Sequence, residues 1–196
     1  MAQYLVHRVV TPDWSTIPAA QLSDTGWLAP CSVAAWAKLC HDGSNLYVRM
    51  EAREENIRAT LTGPMDQVCE DSCLEFFFAL SQDDTRYFNF EFNPLGNSYI
   101  AFGRKRETRL RLHPADMEQF HVVPFYTETG WGLIFQIPLA FLQMLVPAFT
   151  FTGTAACNFY KCGEQTLTPH YYSWSPMTTE NPDFHRRQDF GTLTFE

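Results

Sequence analysis

The segment from Asn158 to Phe195 combines aromatic and polar residues in a pattern that suits ligand binding. It contains the runs NFYKC, PHYYSWSP and PDFHRRQDFG, in which aromatic residues alternate with Asn, Lys, His and Arg. A ring that packs in a core needs no polar neighbours of this kind. A ring that stacks on a flat polar ligand does need them, because the neighbours supply directed hydrogen bonds. Sugars are ligands of this type.

Trp174 is the first candidate for a stacking residue. It stands between Ser173 and Ser175 and is followed by Pro176, so it lies in irregular chain rather than in a periodic apolar stripe. A tryptophan in a loop is often an anchor in a binding site. The alternative role is a residue that caps the core. The other tryptophans lie in or beside apolar runs, and we expect them in the core: Trp14, Trp27, Trp36 and Trp131.

Polar side chains on predicted strands form a second group of candidates. In YFNFEFN, alternation places three phenylalanines on one face and Tyr87, Asn89, Glu91 and Asn93 on the other. Asn158 and Tyr160 on a later strand, and Glu75 on an earlier one, would extend this row if the strands are neighbours. Such a face can bind a polyhydroxylated ligand. The alternative, a solvated face of a sheet, explains the acids less well because no Lys or Arg alternates with them.

Two basic side chains complete the set of candidate binding residues. Arg104 opens a basic run over 104–111 in an acidic protein and follows a predicted strand, so it could reach the same rim as Trp174. The rest of that run fits a solvated hairpin. His170 lies in the irregular aromatic region. Hydrogen bonding is favoured for it over metal binding because no third ligand stands at a recognisable spacing.

Many short strands must position these residues. The segments 34–40 and 45–52 flank the turn-rich tetrad HDGS and predict a hairpin. Further strands are predicted in CLEFFFAL, YFNFEF, 98–103, WGLIFQIP and 153–162, and one short helix is predicted at 138–145. We therefore expect an all-β protein, a single antiparallel β-sandwich of jelly-roll type with one short helix, spanning residues 1–196 as one domain. Its core should contain Phe76, Phe78, Phe88, Phe90 and Phe92.

Composition limits the partners. The chain has 196 residues, is 45% hydrophobic and carries a formal net charge of -8. This charge argues against nucleic acid and against an anionic membrane surface as the main partner. No apolar run approaches the length of a bilayer span, and MAQYLVHRVV does not resemble a signal peptide. A cytoplasmic monomer is expected.

The six cysteines are expected to be free thiols that serve as small buried hydrophobes. The spacing of Cys69 and Cys73 is not a zinc pattern, nor is that of Cys157 and Cys162. The sequence therefore predicts no metal ligands by spacing.

The blocks CEDSCLEFFF, YFNFEFNPLGN, NFYKC, PHYYSWSP and PDFHRRQDFG together resemble the family 9 carbohydrate-binding modules, in particular the stand-alone family 9-like proteins. The resemblance runs from about Trp36 to Phe195, and its five blocks occur in the expected order. It implies a jelly-roll sandwich related to the DOMON superfamily, a non-catalytic role in carbohydrate catabolism, and a slot in which aromatic rings sandwich a pyranose.

The resemblance also suggests roles for particular residues. Trp174 matches one aromatic wall, and Glu75 matches an acid that hydrogen-bonds sugar hydroxyls. Where the family commonly has a second Trp, this chain has Cys69, so weak binding is expected. Family members carry structural calcium, for which candidate oxygen donors are Asp66, Glu70, Asp71, Asp83 and Asp84, although no compact calcium loop is present. The predicted slot contains Trp174, Glu75 and Arg104, with Asn89, Glu91, Tyr160 and His170 near it.

Two other functions remain open at this point. A glycoside-acting enzyme could use Glu75 and Glu91 as its carboxylate pair. A haem or redox module of the DOMON type would need an axial His or Met, for which Met50 and Met65 are available.

Overall fold

A computed structural model describes residues 1–196, with Pro114 described by its backbone alone. The described chain contains thirteen strands and one α-helix. The strands are β1 (Gln3–Arg8), β2 (Ala20–Leu22), β3 (Ala34–His41), β4 (Asn45–Arg53), β5 (Cys73–Ala79), β6 (Tyr87–Phe92) and β7 (Ser98–Gly103). They continue with β8 (Leu110–Arg111), β9 (Val123–Thr127), β10 (Gly130–Pro138), β11 (Gly153–Gly163), β12 (His170–Ser173) and β13 (Gly191–Phe195). The helix is α1 (Leu139–Gln143), and short 3₁₀ helices occupy Val68–Glu70, Pro114–Asp116, Glu118–Phe120 and Arg187–Asp189.

The strands form one continuous sheet that folds over into two layers. The first layer has the order β8-β7-β6-β5-β11-β13-β1, and the second has the order β1-β3-β4-β10-β9. β1 belongs to both layers, because residues 3–6 pair with β13 and residues 7 and 8 pair with β3. Both of these pairings are parallel, whereas the remaining pairings are antiparallel. The predicted all-β sandwich with one short helix is confirmed.

The hairpin predicted between 34 and 52 is formed by β3 and β4. Its turn is fixed by Asp42, whose Oδ1 accepts hydrogen bonds from the amides of Ser44 and Asn45, each at 2.7 Å. Gly43 has φ of +94°, a left-handed conformation that a side chain would strain. The tetrad thus specifies the turn through one carboxylate and one glycine.

The helix predicted at 138–145 is observed as the shorter α1. Pro138 is its N-cap residue in extended conformation, and the fixed φ of proline suits this entry. Pro147 follows soon after the helix and lacks the amide that a longer helix would need.

The five phenylalanines predicted in the core are fully buried there, which confirms the period-two alternation of β5 and β6. Phe90 shows how the two layers meet, because its ring lies 5.8 Å from Phe135 of β10 and 6.2 Å from Phe76 of β5. Aromatic stacking at these distances adds to the free energy gained from burial. None of the described helices has the length and apolar content that a membrane crossing requires.

The opposite face of β5, β6 and β11 is also buried. A second apolar cluster there includes Phe77, Tyr87, Tyr160 and Phe190, with Phe184 packed against it. The chain over 174–190 lies across this face, so the polar row expected on these strands is covered rather than solvated. Asn158 is an example of this cover. Its Nδ2 donates to the carbonyl of Ser175, and its Oδ1 accepts from the amide of Ser175, each at 2.9 Å.

Replacing Phe90 with Ala should lower the free energy of unfolding by about 3–5 kcal/mol, because the change removes buried surface and leaves a cavity between the layers. Chemical denaturation monitored by Trp fluorescence measures this loss. The control is Leu110→Ala, since Leu110 is 77% exposed and its truncation should change stability by less than about 0.5 kcal/mol. Equal stability of the two variants would contradict the core assignment.

Candidate ligand-binding cleft

A cleft opens on the outer face of the first layer, where the segment 174–190 leaves part of the strands uncovered. The cleft has a volume of ≈ 460 Å³, which includes space open to solvent. The lining combines acids, arginines and aromatic rings: Trp27, Gln67, Cys69, Glu75, Glu91, Arg106, Arg109, Glu164, Tyr171, Pro182, Asp183, Phe184 and His185. A small ligand in the cleft would meet charged groups and aromatic rings together.

Two carboxyl groups lie on the floor of the cleft. Glu75 of β5 and Glu91 of β6 are directly opposite in the antiparallel register, and both are almost fully buried. Cross-strand partners have neighbouring side chains, so the two carboxyl groups repel when both are ionised. Burial and the charge of Glu91 raise the pKa of Glu75 well above its ordinary value.

Glu91 is better stabilised as an anion than Glu75. Burial raises the pKa of Glu91 too, but the Arg109 guanidinium and the Asn89 amide oppose this rise. Asn89 donates to Glu91 Oε1 at 2.8 Å, and Arg109 Nη1 lies 3.9 Å from the same oxygen. Glu75 therefore keeps its proton more readily than Glu91 does, so the floor can present a hydrogen-bond donor beside a carboxylate acceptor.

His185 fixes Arg109 above the floor. Arg109 Nη1 lies 2.8 Å from His185 Nε2, and Tyr87 Oη lies 2.8 Å from His185 Nδ1. Burial and the Arg109 charge lower the pKa of His185 to about 3, so the ring is neutral. Arg109 then donates to Nε2, and Nδ1–H donates to the Tyr87 oxygen. Gly103 permits this arrangement, since a Cβ there would lie 2.7 Å from the Arg109 Cα.

Three aromatic rings form one side of the cleft. The Trp27 ring meets Tyr171 edge to face at 5.5 Å and Phe184 at 5.6 Å. Trp27 Nε1 donates to the carbonyl of Thr179 at 2.8 Å, which ties the loop before β3 to the covering segment. Trp27 is half-buried, so part of its ring stays available to a ligand. The sequence predicted Trp27 in the core, and the structure places it at the cleft instead.

Trp174 does not reach this cleft. Its ring packs against Phe159, on the inner face of β11, at 5.4 Å, and it covers Gly191, where a Cβ would lie 2.5 Å from the ring. Glu75 points to the opposite face of the same layer, so the two side chains are separated by the sheet. Trp174 has the core-capping position that was the alternative to a binding role.

Arg104 and His170 also lie outside the cleft. Arg104 is exposed in the β7–β8 turn, and Arg106 and Arg109 of that turn line the cleft in its place. His170 is buried in the interior, where its Nε2 lies 2.8 Å from Lys161 Nζ. Lys161 in turn pairs with Glu54 at 3.2 Å. This network uses the inner face of β11, whereas the cleft uses the outer face.

Tyr160 and Asn89 support the cleft from below. Phe184 stacks on Tyr160 with ring centroids 4.0 Å apart and an angle of 11°. The Tyr160 hydroxyl donates to the Phe184 carbonyl at 3.1 Å. Asn89 is fully buried and orients Glu91. Of the seven predicted site residues, the structure thus brings Glu75 and Glu91 into the cleft, with Asn89 and Tyr160 beneath them.

Three of the five acids considered for calcium, Asp66, Asp71 and Asp84, have other partners. Asp71 is fully buried and accepts hydrogen bonds from the amides of Thr60 and Leu61, each at 2.9 Å. Asp84 pairs with Arg86 at 2.8 Å, and Asp66 Oδ2 accepts from the Gly63 amide at 2.7 Å. In the part of the chain that the structure describes, these acids do not converge on one point.

A two-layered β-sandwich with a polar, aromatic-walled cleft on one face has the architecture of a binding module. The family model described as carbohydrate-binding family 9 matches residues 16–195. A crystal structure from Bacteroides uniformis ATCC 8492, whose description proposes carbohydrate binding, is 30% identical with a TM-score of 0.85 and 99% coverage of both chains. The chain therefore belongs to carbohydrate-binding family 9.

More distant structures share the fold. A family 9 module from Caldicellulosiruptor kristjanssonii in complex with glucose is 12% identical, with a TM-score of 0.65 and coverage of 100% of this chain and 96% of that chain. The same source gives a module in complex with cellotriose, at 12% identity and a TM-score of 0.66, covering 98% of this chain and 93% of that chain. No curated protein matches the sequence.

Replacing Glu75 with Gln should stabilise the protein increasingly as the pH rises. The folded pKa of Glu75 lies above the ordinary value of 4.5, so the folded state binds more protons and wild-type stability falls as pH rises through this range. The glutamine side chain does not ionise, so the variant does not lose stability in this way as the pH rises. Melting temperatures of both proteins from about pH 4 to about pH 8 measure the effect.

The difference between variant and wild type should be small near the acidic limit and grow toward neutral pH. Glu128→Gln is the control, because Glu128 is exposed and its replacement should leave the pH profile unchanged. A variant curve parallel to that of the wild type would show that Glu75 ionises normally in the fold.

Proposed function

We propose that this protein binds a sugar or the end of a sugar chain in the cleft and does not cleave it. The observation that carries the proposal is the placement of the Trp27 ring beside the buried Glu75 and Glu91 carboxyl groups in one cleft. Membership of carbohydrate-binding family 9 supports it. The cytoplasmic location and monomeric state expected from the sequence stay predictions.

The cleft matches the chemistry of a pyranose. A pyranose has an apolar CH face, which an aromatic ring can cover, and hydroxyls that both donate and accept. Trp27 would cover the face, Glu91 would accept, and Arg109 would donate. Charged partners make stronger hydrogen bonds than neutral ones. Arg109 lines the cleft, and its Nε is buried without a hydrogen-bond partner among the described residues, which leaves this group able to donate to a ligand.

The size of the cleft suits a sugar unit or the end of a sugar chain. Its volume of ≈ 460 Å³ includes space open to solvent, so part of a ring can be surrounded while the rest stays in the open part. Cys69 lines the cleft where the family commonly has a second Trp, so one wall lacks a ring. We expect dissociation constants from about millimolar to tens of micromolar, about 4–6 kcal/mol of binding free energy.

The geometry supports recognition by Glu75 and Glu91 rather than catalysis. A glycosidase places its two carboxyl groups on either side of the scissile bond. Here the two acids are cross-strand neighbours on one floor and approach a ligand from the same side. The haem alternative has little support, because Met50 lies in the main core and Met65 beside a separate surface depression.

Replacing Trp27 with Ala should weaken sugar binding by at least about tenfold, equal to about 1.4 kcal/mol, because the apolar face of the sugar loses its platform. Calorimetric titration with glucose and cello-oligosaccharides is the measurement, these sugars being chosen from the ligands in the related structures. The matched control is Trp174→Ala, which removes an indole from the core side and should lower the melting temperature but keep the affinity.

Two results would contradict this placement. Equal affinity of Trp27→Ala and wild type would remove the cleft as the sugar site. Loss of sugar binding in a folded Trp174→Ala variant would show that Trp174 belongs to the sugar site, as the sequence predicts.

Incubation with aryl glycosides and oligosaccharides should yield no product above the buffer blank. Release of aryl alcohol or reducing ends is measured for the wild type and for Glu75→Gln. Turnover that disappears in Glu75→Gln would establish a glycosidase. Turnover that persists in the variant would point to a contaminating enzyme.

A further inference from the structure

Two cysteines that are distant in the sequence meet beneath the cleft. Cys73 begins β5 and Cys162 lies near the end of β11, directly opposite each other in the antiparallel register. Both are buried, at 0% and 1% exposure. Glu75 follows Cys73 by two residues, so its side chain is on the same face of β5. The fold therefore gathers two thiols and one carboxyl group that sequence spacing did not connect.

The three side chains are close enough to share one ion. One ligand atom from each of Cys73, Glu75 and Cys162 lies within 4.8 Å of the other two. Cys162 Sγ is 3.1 Å from Glu75 Oε1. Two sulfurs bound tetrahedrally to zinc at about 2.3 Å are about 3.8 Å apart. Small side-chain rotations thus suffice to bring the donors to bonding distance.

The site can exchange its protons for a cation. Among the described residues Glu91 has a salt bridge to Arg109 at 3.9 Å, whereas Glu75 has no salt bridge within 4 Å and is affected only weakly by the charge of Arg109. A buried carboxylate without a counter-charge is unfavourable unless it takes up a proton or binds a cation. Thiolate sulfur selects zinc and related thiophilic metals over calcium and magnesium.

We propose that Cys73, Cys162 and Glu75 form a binding site for zinc or a similar thiophilic divalent cation at the base of the cleft. Cys69 packs against this cluster and also lines the cleft, which places it on the entry path; its sulfur is not among the mutually close donor atoms and would have to move to serve as a fourth ligand. On binding, each thiol and the Glu75 carboxyl group lose their protons to solvent, the two sulfurs form sulfur–metal bonds, and Glu75 binds as the carboxylate.

This site is separable from the proposed sugar site. Cys73 and Cys162 do not line the cleft, whereas Glu75 and Cys69 do. Loss of either cysteine should therefore abolish metal binding and leave the sugar-binding surface in place. A protein that binds no sugar could still bind the metal, and a protein that binds no metal could still bind the sugar. The two proposals are therefore tested separately.

Anaerobic titration of the reduced, chelator-treated protein with Co²⁺ tests the proposal. One equivalent should produce a thiolate-to-cobalt charge-transfer band in the near ultraviolet and the visible bands of tetrahedral cobalt. Added Zn²⁺ should replace the cobalt, so that both sets of bands disappear. Cys73→Ala and Cys162→Ala should lose the charge-transfer band. Glu75→Gln should keep a thiolate band but bind at least about tenfold more weakly.

The matched control is Cys157→Ala, which removes a buried thiol from the same strand but from the main core. It should leave the cobalt spectrum unchanged. The absence of a charge-transfer band in the wild type, or an unchanged band in folded Cys73→Ala, would overturn the proposal.

X-ray absorption of the zinc-loaded wild type provides a test that depends on no variant. Two or three sulfur neighbours at about 2.3 Å with oxygen completing four ligands would support the site. A shell of oxygen and nitrogen alone would overturn it.

Discussion

The stack of Phe184 on Tyr160 is the interaction on which the functional face depends. The two rings lie parallel, 4.0 Å apart, and hold the segment 174–190 across the outer face of β5, β6 and β11. Arg187 secures the same segment with a 2.8 Å hydrogen bond to the carbonyl of Gln82 in the β5–β6 turn. With this cover in place, Glu75 and Glu91 lose most of their solvent, and their protonation is set by each other and by nearby arginines. A layer buried on both faces is thus a condition for the chemistry of the cleft.

Local patterns in the sequence predict much of the sandwich. Alternation placed Phe88, Phe90 and Phe92 on one face correctly, because the face of a residue follows from parity along its strand alone. The turn at Asp42 and Gly43 is also predictable, because it depends on a hydrogen bond from the Ser44 amide to Asp42 and on the left-handed conformation of Gly43. The parallel pairings of β1 have no such local signal, since one joins it to β13, which is far away in the sequence, and the other joins it to β3 without a hairpin turn.

The site was only partly predictable for a related reason. Glu75 and Glu91 could be found because two acids on strands without alternating cations are unusual for a solvated face. Trp27 and Trp174 both stand in irregular chain, and their sequence neighbours do not show which side of the sheet each ring will face. Cys73 and Cys162 meet only through the β5–β11 register, which is a property of the assembled sheet.

The position of β1 has a consequence for how the protein is made. Of the described strands β1 is synthesised first and its neighbour β13 last, so this pairing between the two strands cannot form until β13 has been made. Pairing between such distant segments is slow because a long loop must close before any contact is gained. Until then the phenylalanine-rich strands have only their hairpin neighbours to cover them. The partly made sandwich is therefore exposed to aggregation until β13 is available to pair with β1.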